Sequence, residues 1–571
     1  MRRNVLACSA TLAFLIPADA LAATFFVDPT APGADDGSSW ADAFADLQSA
    51  LALATNGDEI RVAGGTYVPG PTRSDTFRLP SGVVTRGSFG GYSSPEPDAR
   101  DFDATPSILS GEIGDPTRDD NCYSVVDASG TAAGTTLDGF VVTRGHAWGG
   151  GTERGGGLYT NLGSPTLRDV RFVDNVSRWH GAGIFCDNGT ITLERVEIAD
   201  GAAGQGSNGN GGGMFADASD AFLTDCSILD NSAIAGAGGL FFSGGTLTLE
   251  RCVFERNTAR SGGALWLGGG DATLLDTEFR YNNAENDGGG VWTSNTSPVR
   301  LVNCLFWRNY TLGSSGGSVG GAVYFGGFGS ANVEEITNCT FAENEAGSGG
   351  AIYIFNSGVP QITNSVFWGN YAEFSAPEIS SGAELSHCIV AGSGGSGSWN
   401  PAFGTDGGGN LDADPGFVFM VLGDLHVAPE SPAVDAGDPA APNLADHDLD
   451  GNPRVLGATV DIGAYEIVPS PVASPAIANG SARLLRSVRP NPARGELRIN
   501  LELRRSSDVV LDIYDVQGRL VRRLASGTMN EGAHRVTWNT EGVGGPVAAG
   551  TYFVRLRGEG VTESRKVVVL R

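Results

Sequence analysis

Residues that could do chemistry are sparse in this chain and gather in a few places. The densest group is aromatic and basic. His146 and Trp148 form one half, and Arg178, Trp179 and His180 the other, with Arg154 between them. Both halves stand in a turn ahead of a glycine-rich stretch. Indole faces cover the C–H faces of sugar rings, and imidazole or guanidinium groups reach their hydroxyls. The five residues read as a sugar subsite or, more plainly, as a polar loop with anchoring aromatics. Glu285 with Asp287 is a second candidate, since general acid–base cleavage of a glycoside needs paired carboxyls. A third is Asp446-His447-Asp448-Leu449-Asp450-Gly451, the opening of a calcium loop. Its twelfth position is Gly457 where such a loop carries Glu. Asp446, Asp448 and Asp450 could still hold Ca2+ with help from backbone oxygens, or simply form a turn. Seven cysteines follow Cys8, with no C-x-x-C pair to suggest zinc.

These groups need a scaffold, and the scaffold is a repeat. Its fullest copy runs from Leu247 to Trp266, L-T-L-E-R-C-V-F-E-R-N-T-A-R-S-G-G-A-L-W. Anchored on one aliphatic residue, ten copies start at Leu137, Leu167, Leu193, Leu223, Leu249, Leu274, Leu301, Ile336, Ile362 and Leu385. Periods in the twenties, with β-type runs and turns and no helical spacing, predict a β-solenoid of three short strands per coil.

Stacked coils turn equivalent positions into columns. Three after the anchor stand small residues, among them Cys226, Cys252, Cys304, Cys339 and Cys388. Two further on stand Phe172, Ile198, Ile228, Phe254, Phe279, Phe306, Phe341 and Phe367, which the period of two places on the same inward face. Between anchor and small position lies a bend, often Asp or Asn: Asp169, Asp225, Asp276, Asn303, Asn338 and Asn364. Both types tolerate left-handed backbone. Eight after the anchor comes a second column, Asn175, Asn231, Asn257, Asn282, Asn309, Asn344 and Asn370, whose amides can bond from coil to coil as a structural ladder. After the glycines an aliphatic residue is followed by an aromatic one: Tyr159, Phe185, Phe215, Phe241, Trp266, Trp292, Tyr324 and Tyr353. Neighbours in a strand face opposite ways. If this column faces outward, Trp266 and Trp292 offer a flat platform for sugar rings; if inward, the aromatics fill a corner of the core.

This pattern resembles the right-handed parallel β-helix of the pectin-lyase-like superfamily, with its asparagine ladders. The resemblance implies an all-β rod, and the ten regular copies with the irregular coils ahead of them predict roughly 13 coils. It also implies an enzyme alternative, a polysaccharide lyase or glycoside hydrolase. No short motif commits the chain to either: a lyase needs an acidic calcium cluster beside an arginine, a hydrolase paired carboxyls on neighbouring coils.

Along the chain, residues 1–22 read as a signal peptide, with Arg2 and Arg3, an apolar core and Ala20-Leu21-Ala22. Cleavage near Ala22 predicts an extracellular or bacterial cell-surface location. Residues 23–130 hold a cap and the first irregular coils, including a capping helix over roughly Ala41 to Ala54. Regular repeats fill 131–395, and 396–468 close the rod. There Asp414-Pro415-Gly416-Phe417, the stretch from Ser431 to Gly437 and Asp461-Ile462-Gly463-Ala464-Tyr465-Glu466 resemble the end region of choice-of-anchor surface proteins. A linker rich in Pro, Ala and Ser spans 469–482. Alternating runs over 483–571 predict a small β-sandwich. Its Pro490-Asn491-Pro492, Tyr514 to Arg519 and Ala549 to Val554 resemble the immunoglobulin-like domain of flagellar hook assembly proteins and the sorting domain of type IX secretion substrates. Both resemblances imply an address or docking module.

Charge narrows the partners. The net charge is −28, and the residues from Ser481 onward carry 16 basic against 9 acidic groups. The rod alone is therefore still more acidic, which excludes electrostatic nucleic-acid binding. No later stretch is apolar enough to span a membrane. The reading is a secreted or surface β-helix that binds polysaccharide without cleaving it, delivered through its C-terminal domain to export or surface machinery. A lyase or hydrolase is the alternative, and a structural surface stalk a further one. Ca2+ is the one cofactor the sequence suggests.

Overall fold

The computed structural model describes residues 22–467 and 485–569 apart from short internal stretches, the longest being 327–333. The expected signal peptide (but for its last residue) and the linker lie outside the described residues.

Residues up to 411 wind into a right-handed parallel β-helix. Each full coil has four faces, where the sequence suggested three strands. The coil at 246–267 shows them in order: Thr246–Glu250, Val253–Glu255, Thr258–Ser261 and Leu265–Leu267. The additional third face is built of strands as short as Val176–Ser177, too brief to leave a periodic signature. The faces stack 14, 12, 9 and 10 parallel strands respectively. Leu249 pairs with Leu274 and that with Leu301; Phe254 pairs with Phe279 and that with Phe306. The phenylalanines stack face to face inside the rod, with centroids 4.7 to 5.1 Å apart. The cysteine column is buried beside them, and all seven described thiols are free.

Two bends in each coil flank the second face, and both use left-handed backbone. The first holds Asp169, Asp225, Asp276, Asn303, Asn338 and Asn364 at φ from +50° to +56°. Arg195, Arg251 and His387 adopt the same conformation in the other coils. The second bend places a left-handed residue immediately before the ladder asparagine, such as Arg256, Tyr281, Arg308 and Glu343. The ladder runs unbroken from Asn231 to Asn370. Asn257 Nδ2 donates to Ile228 O (2.8 Å) and to Asn282 Oδ1 (3.0 Å), which also accepts Asn257 N–H. Asn309 and Asn344 repeat the pattern. Asn175 stands apart, because Gly201 takes the ladder position between it and Asn231.

At the N-terminal end the strand Thr24–Val27 pairs with Glu59–Ala63, and a helix packs over them. The helix is shorter than expected, Leu47–Leu53, because Asp46 caps it through Ser49 N–H and Phe44 is drawn into a bridge with Val27.

The closing region does not simply plug the far end. Gly404–Asp406 and Leu411 cover the last coil. From there on the chain doubles back as a strap along the second face. It contributes a hairpin, Phe417–Phe419 with Asp424–Val427. Leu425, Ala464 and Tyr465 pack on Leu305, Trp307 and Ala342. Val427, Ala433 and Ile462 pack on Val366 and Ile389. These rod residues point outward, so the face is apolar only where the strap lies on it.

Residues 485–569 form a two-sheet sandwich of three and four antiparallel strands. The expected sandwich is present, its strands running from Leu485–Arg489 to Val561–Val569. Trp538 is fully buried at its centre.

Candidate functional site

Each sequence-derived candidate can now be placed. Trp148, Arg178 and Trp179 come together on the rod, at consecutive coils of the third face. The Arg178 guanidinium lies 5.0 Å from the Trp179 ring centre and 5.9 Å from that of Trp148. Each such contact is worth about 0.5–1 kcal/mol at a wet site. Glu153, which the sequence reading passed over in favour of its neighbour Arg154, braces the group. Its carboxylate accepts two bonds from Arg178 (both 3.0 Å), one from Trp179 Nε1 (2.8 Å) and one from Gly149 N–H (3.1 Å). Burial pushes its pKa up, but the Arg178 and Trp179 bonds outweigh that and hold it below the usual carboxylate range. Its backbone is left-handed at φ +55°, a conformation that costs non-glycine residues energy. An acid within the same glycine-rich segment as Arg154 was the available clue.

The two histidines face other partners, although the His146 ring lies 6.2 Å from that of Trp148. His146 is buried, with Nδ1 against Arg118 O at 2.5 Å. His180 stacks on Phe215 at 4.5 Å, and burial, followed by the charge of Arg154, lowers its pKa to about 4. It is neutral at pH 7. Arg154 lies over Phe185, 5.3 Å from the ring centre.

The aromatic column lies on the outer side of its strands, opposite the buried Leu158, Ile184 and Leu240, but Phe185 and Phe215 are themselves buried, beneath Arg154 and His180. Its eight rings form one continuous stack. Trp266 and Trp292 are 3.6 Å apart, tilted by 19°. Rings stacked along the rod axis spend their faces on one another, and the six that are not buried show solvent little more than their edges. Trp266 and Trp292 are therefore not the flat platform their spacing suggested.

The three aspartates of the loop diverge. Asp446 is exposed and pairs with His447 (2.6 Å). Asp448 is buried and accepts from Asp450 N–H, Asn452 N–H and Glu466 N–H, a turn-forming role. Asp450 pairs with His426 (2.8 Å) and with Arg535 of the sandwich (3.2 Å). His426 is held between Asp424 and Asp450; burial opposes its charge, but the two carboxylates win and raise its pKa to about 10. Among the described residues no group of three or more His, Cys, Asp or Glu side chains is placed to hold a metal ion.

Of the other acidic pair, Glu285 lies 3.8 Å from Arg260. The Asp287 carboxyl has no hydrogen-bond or ion-pair partner among the described residues, and burial raises its pKa to about 6. Its charge in turn adds to the burial that lifts the Tyr324 hydroxyl to about 12.

Two family models match parts of the chain. A family model described as "Right handed beta helix region" matches residues 156–333, and one described as "FlgD Ig-like domain" matches residues 489–560. Metabotropic glutamate receptor-like protein R of Dictyostelium discoideum is 28% identical over 220 residues. That match takes in 38% of this chain and 11% of the relative, so the chain spans a small part of that protein's length. Among solved structures, pectate lyase Pel9A aligns with 12% identity and a TM-score of 0.41, over 78% of this chain and 97% of that one. No described helix is long and apolar enough to cross a membrane.

Proposed function

We propose that this chain is an exported rod that binds glycans without cleaving them, and that its C-terminal immunoglobulin-like module delivers it or holds it at a cell surface. One observation carries the reading: two half-buried indoles flank a guanidinium that Glu153 locks in place. Such a cluster offers apolar faces and fixed polar edges to a sugar, while its acid and its base neutralise each other. Binding therefore suits it better than proton transfer.

The test is a glycan panel on the full exported chain, with and without Ca2+, read for binding and for release of reducing or unsaturated ends. Binding without product, weakened about tenfold or more by Trp179→Ala, a loss of about 1.4 kcal/mol, is the expected result. Product formation would sink the non-catalytic reading. It would favour the second one, a carbohydrate-cleaving enzyme, which the unpaired carboxyl of Asp287 supports. Asp287→Asn should then abolish product.

A further inference from the structure

The asparagine ladder does more than hold coils together. It fixes the residues on either side of it at one coil spacing. The residue following each asparagine opens the third face and points outward, so Tyr310, Glu345 and Tyr371 form one column in register. Thr311 and Ala346, next along their strands, point inward and are buried. The residue preceding each asparagine is left-handed: Arg308 at φ +54°, Glu343 at +52° and Gly369 at +72°. Gly369 leaves the wall open beside Tyr371, since a Cβ there would meet nothing closer than Met420 at 3.8 Å. These residues, with Tyr281, line an open groove of about 360 Å³.

This groove differs from the aromatic stack in the way that matters for a ligand. Tyr310 and Tyr371 stand two coils apart, about 9.6 Å at ~4.8 Å per coil, with Glu345 between them. They are too far apart to stack on each other. Tyr371 is 57% exposed. The polar groups are also disposed for hydroxyls: Arg308 is bound to Glu343 at 2.7 Å, and Glu345 is exposed. The lining carries a net charge of −1 on a chain of −28, which repels uronates and sulfates.

We infer that this groove is a saccharide subsite for a neutral glycan, with Tyr310 and Tyr371 each receiving a sugar ring and Glu345 accepting hydroxyl hydrogen bonds between them. The inference rests on the glycan-binding reading of the chain but on residues distinct from the Trp179 cluster, so the two can fail separately.

The experiment is titration calorimetry on the full exported chain with β-1,4-linked hexasaccharides of glucose, xylose and mannose, and with hexagalacturonate. At least one neutral hexasaccharide should bind. Tyr371→Ala and Tyr310→Ala should each weaken it about tenfold, Tyr310→Phe should preserve it, and Trp179→Ala should leave the Tyr371-sensitive site intact. Glu345→Gln should narrow the preference for neutral chains over hexagalacturonate. The exposed Tyr371 makes misfolding a poor excuse, and an unchanged unfolding midpoint confirms that. A stronger affinity for hexagalacturonate, or an affinity indifferent to Tyr371→Ala, would overturn the inference alone. Silence from every saccharide would overturn it together with the glycan-binding reading.

Discussion

The two bends that flank the second face use polar side chains to opposite ends. At the second bend, asparagines look inward along the rod and satisfy one another, so the ladder needs nothing from outside. At the first bend, the left-handed residues, Asp, Arg and Asn, point their polar side chains outward and depend on what lies there. Over the N-terminal coils the column alternates Asp169, Arg195, Asp225 and Arg251, which close into ion pairs. Over the C-terminal coils it becomes Asp276, Asn303, Asn338 and Asn364, and each meets the strap. Asp276 takes His447 Nε2 (2.7 Å), and Asn303 donates to His447 O (2.7 Å) and accepts from Arg454 (3.0 Å). Asn338 donates to Asp461 O (3.0 Å), and Asn364 exchanges two bonds with the Asp438 backbone. One chemistry thus serves as internal stay or as docking site, according to the direction it faces.

The sharpest way to break the docking half is Arg454. It is 2% exposed, pairs with Glu466 and reaches Asn303 and Gly463 O. Deleting it takes the donor from Asn303 Oδ1 and Gly463 O, at about 1–3 kcal/mol for each buried group left unpaired. Arg454→Ala should release the strap, seen as fast hydrogen exchange over 424–467 while the ladder amides stay protected. If both lost protection together, strap and rod would be one cooperative unit.

The internal half is tested by Asn309→Ala. It orphans Phe279 O and the Asn282 amides. At about 1–3 kcal/mol for each orphaned buried group, the loss should reach about 3 kcal/mol. The urea midpoint of the rod should fall by that equivalent, with the strap following passively.

A buried acid terminates each system, and pH should therefore act on both. Glu378 ends the ladder, accepting Asn370 Nδ2 at 2.5 Å, and burial raises its pKa to about 8. Burial likewise raises Glu466, in the strap, to about 8. A folded pKa above the unfolded value means the folded chain binds more protons between about pH 4.5 and pH 8. The contribution of these two groups to stability is then fullest below about pH 4.5 and declines as pH rises toward 8. Glu378→Gln should flatten that decline for the last coils and Glu466→Gln for the strap, each followed by hydrogen exchange against pH. A decline untouched by both substitutions would point to other groups.

The smallest effect belongs to the N-terminal stretch of the first bend. Asp225 and Arg251 are each close to half exposed. Arg251→Ala should cost about 0–1 kcal/mol and less in high salt. A larger loss would mean that these pairs also hold the register.

Much of this was legible before any coordinates. The ladder asparagines, the left-handed Asp and Asn of the first bend, and the inward phenylalanines recur because every coil faces the same local constraint. The four-sided coil was not, since its third-face strands are too short to show a period. Nor was the strap, although a clue existed: outward positions of the second face change from Arg171, Glu197 and Ser227 to Leu305, Val366 and Ile389. Apolar residues facing out require a cover, and reading them that way needs the inward partner positions first.

Sequence alone determined the repeat, its bends and the ladder, because these follow from backbone conformation and from neighbours one coil away. Only the tertiary structure decided where functional groups meet. It turned the aromatic faces into a closed stack, joined Glu153 to Arg178 and Trp179, and sent Asp446, Asp448 and Asp450 to separate partners. Contacts such as His447 with Asp276, 171 residues apart, depend on how the strap folds back, and no local pattern in the chain encodes that distance.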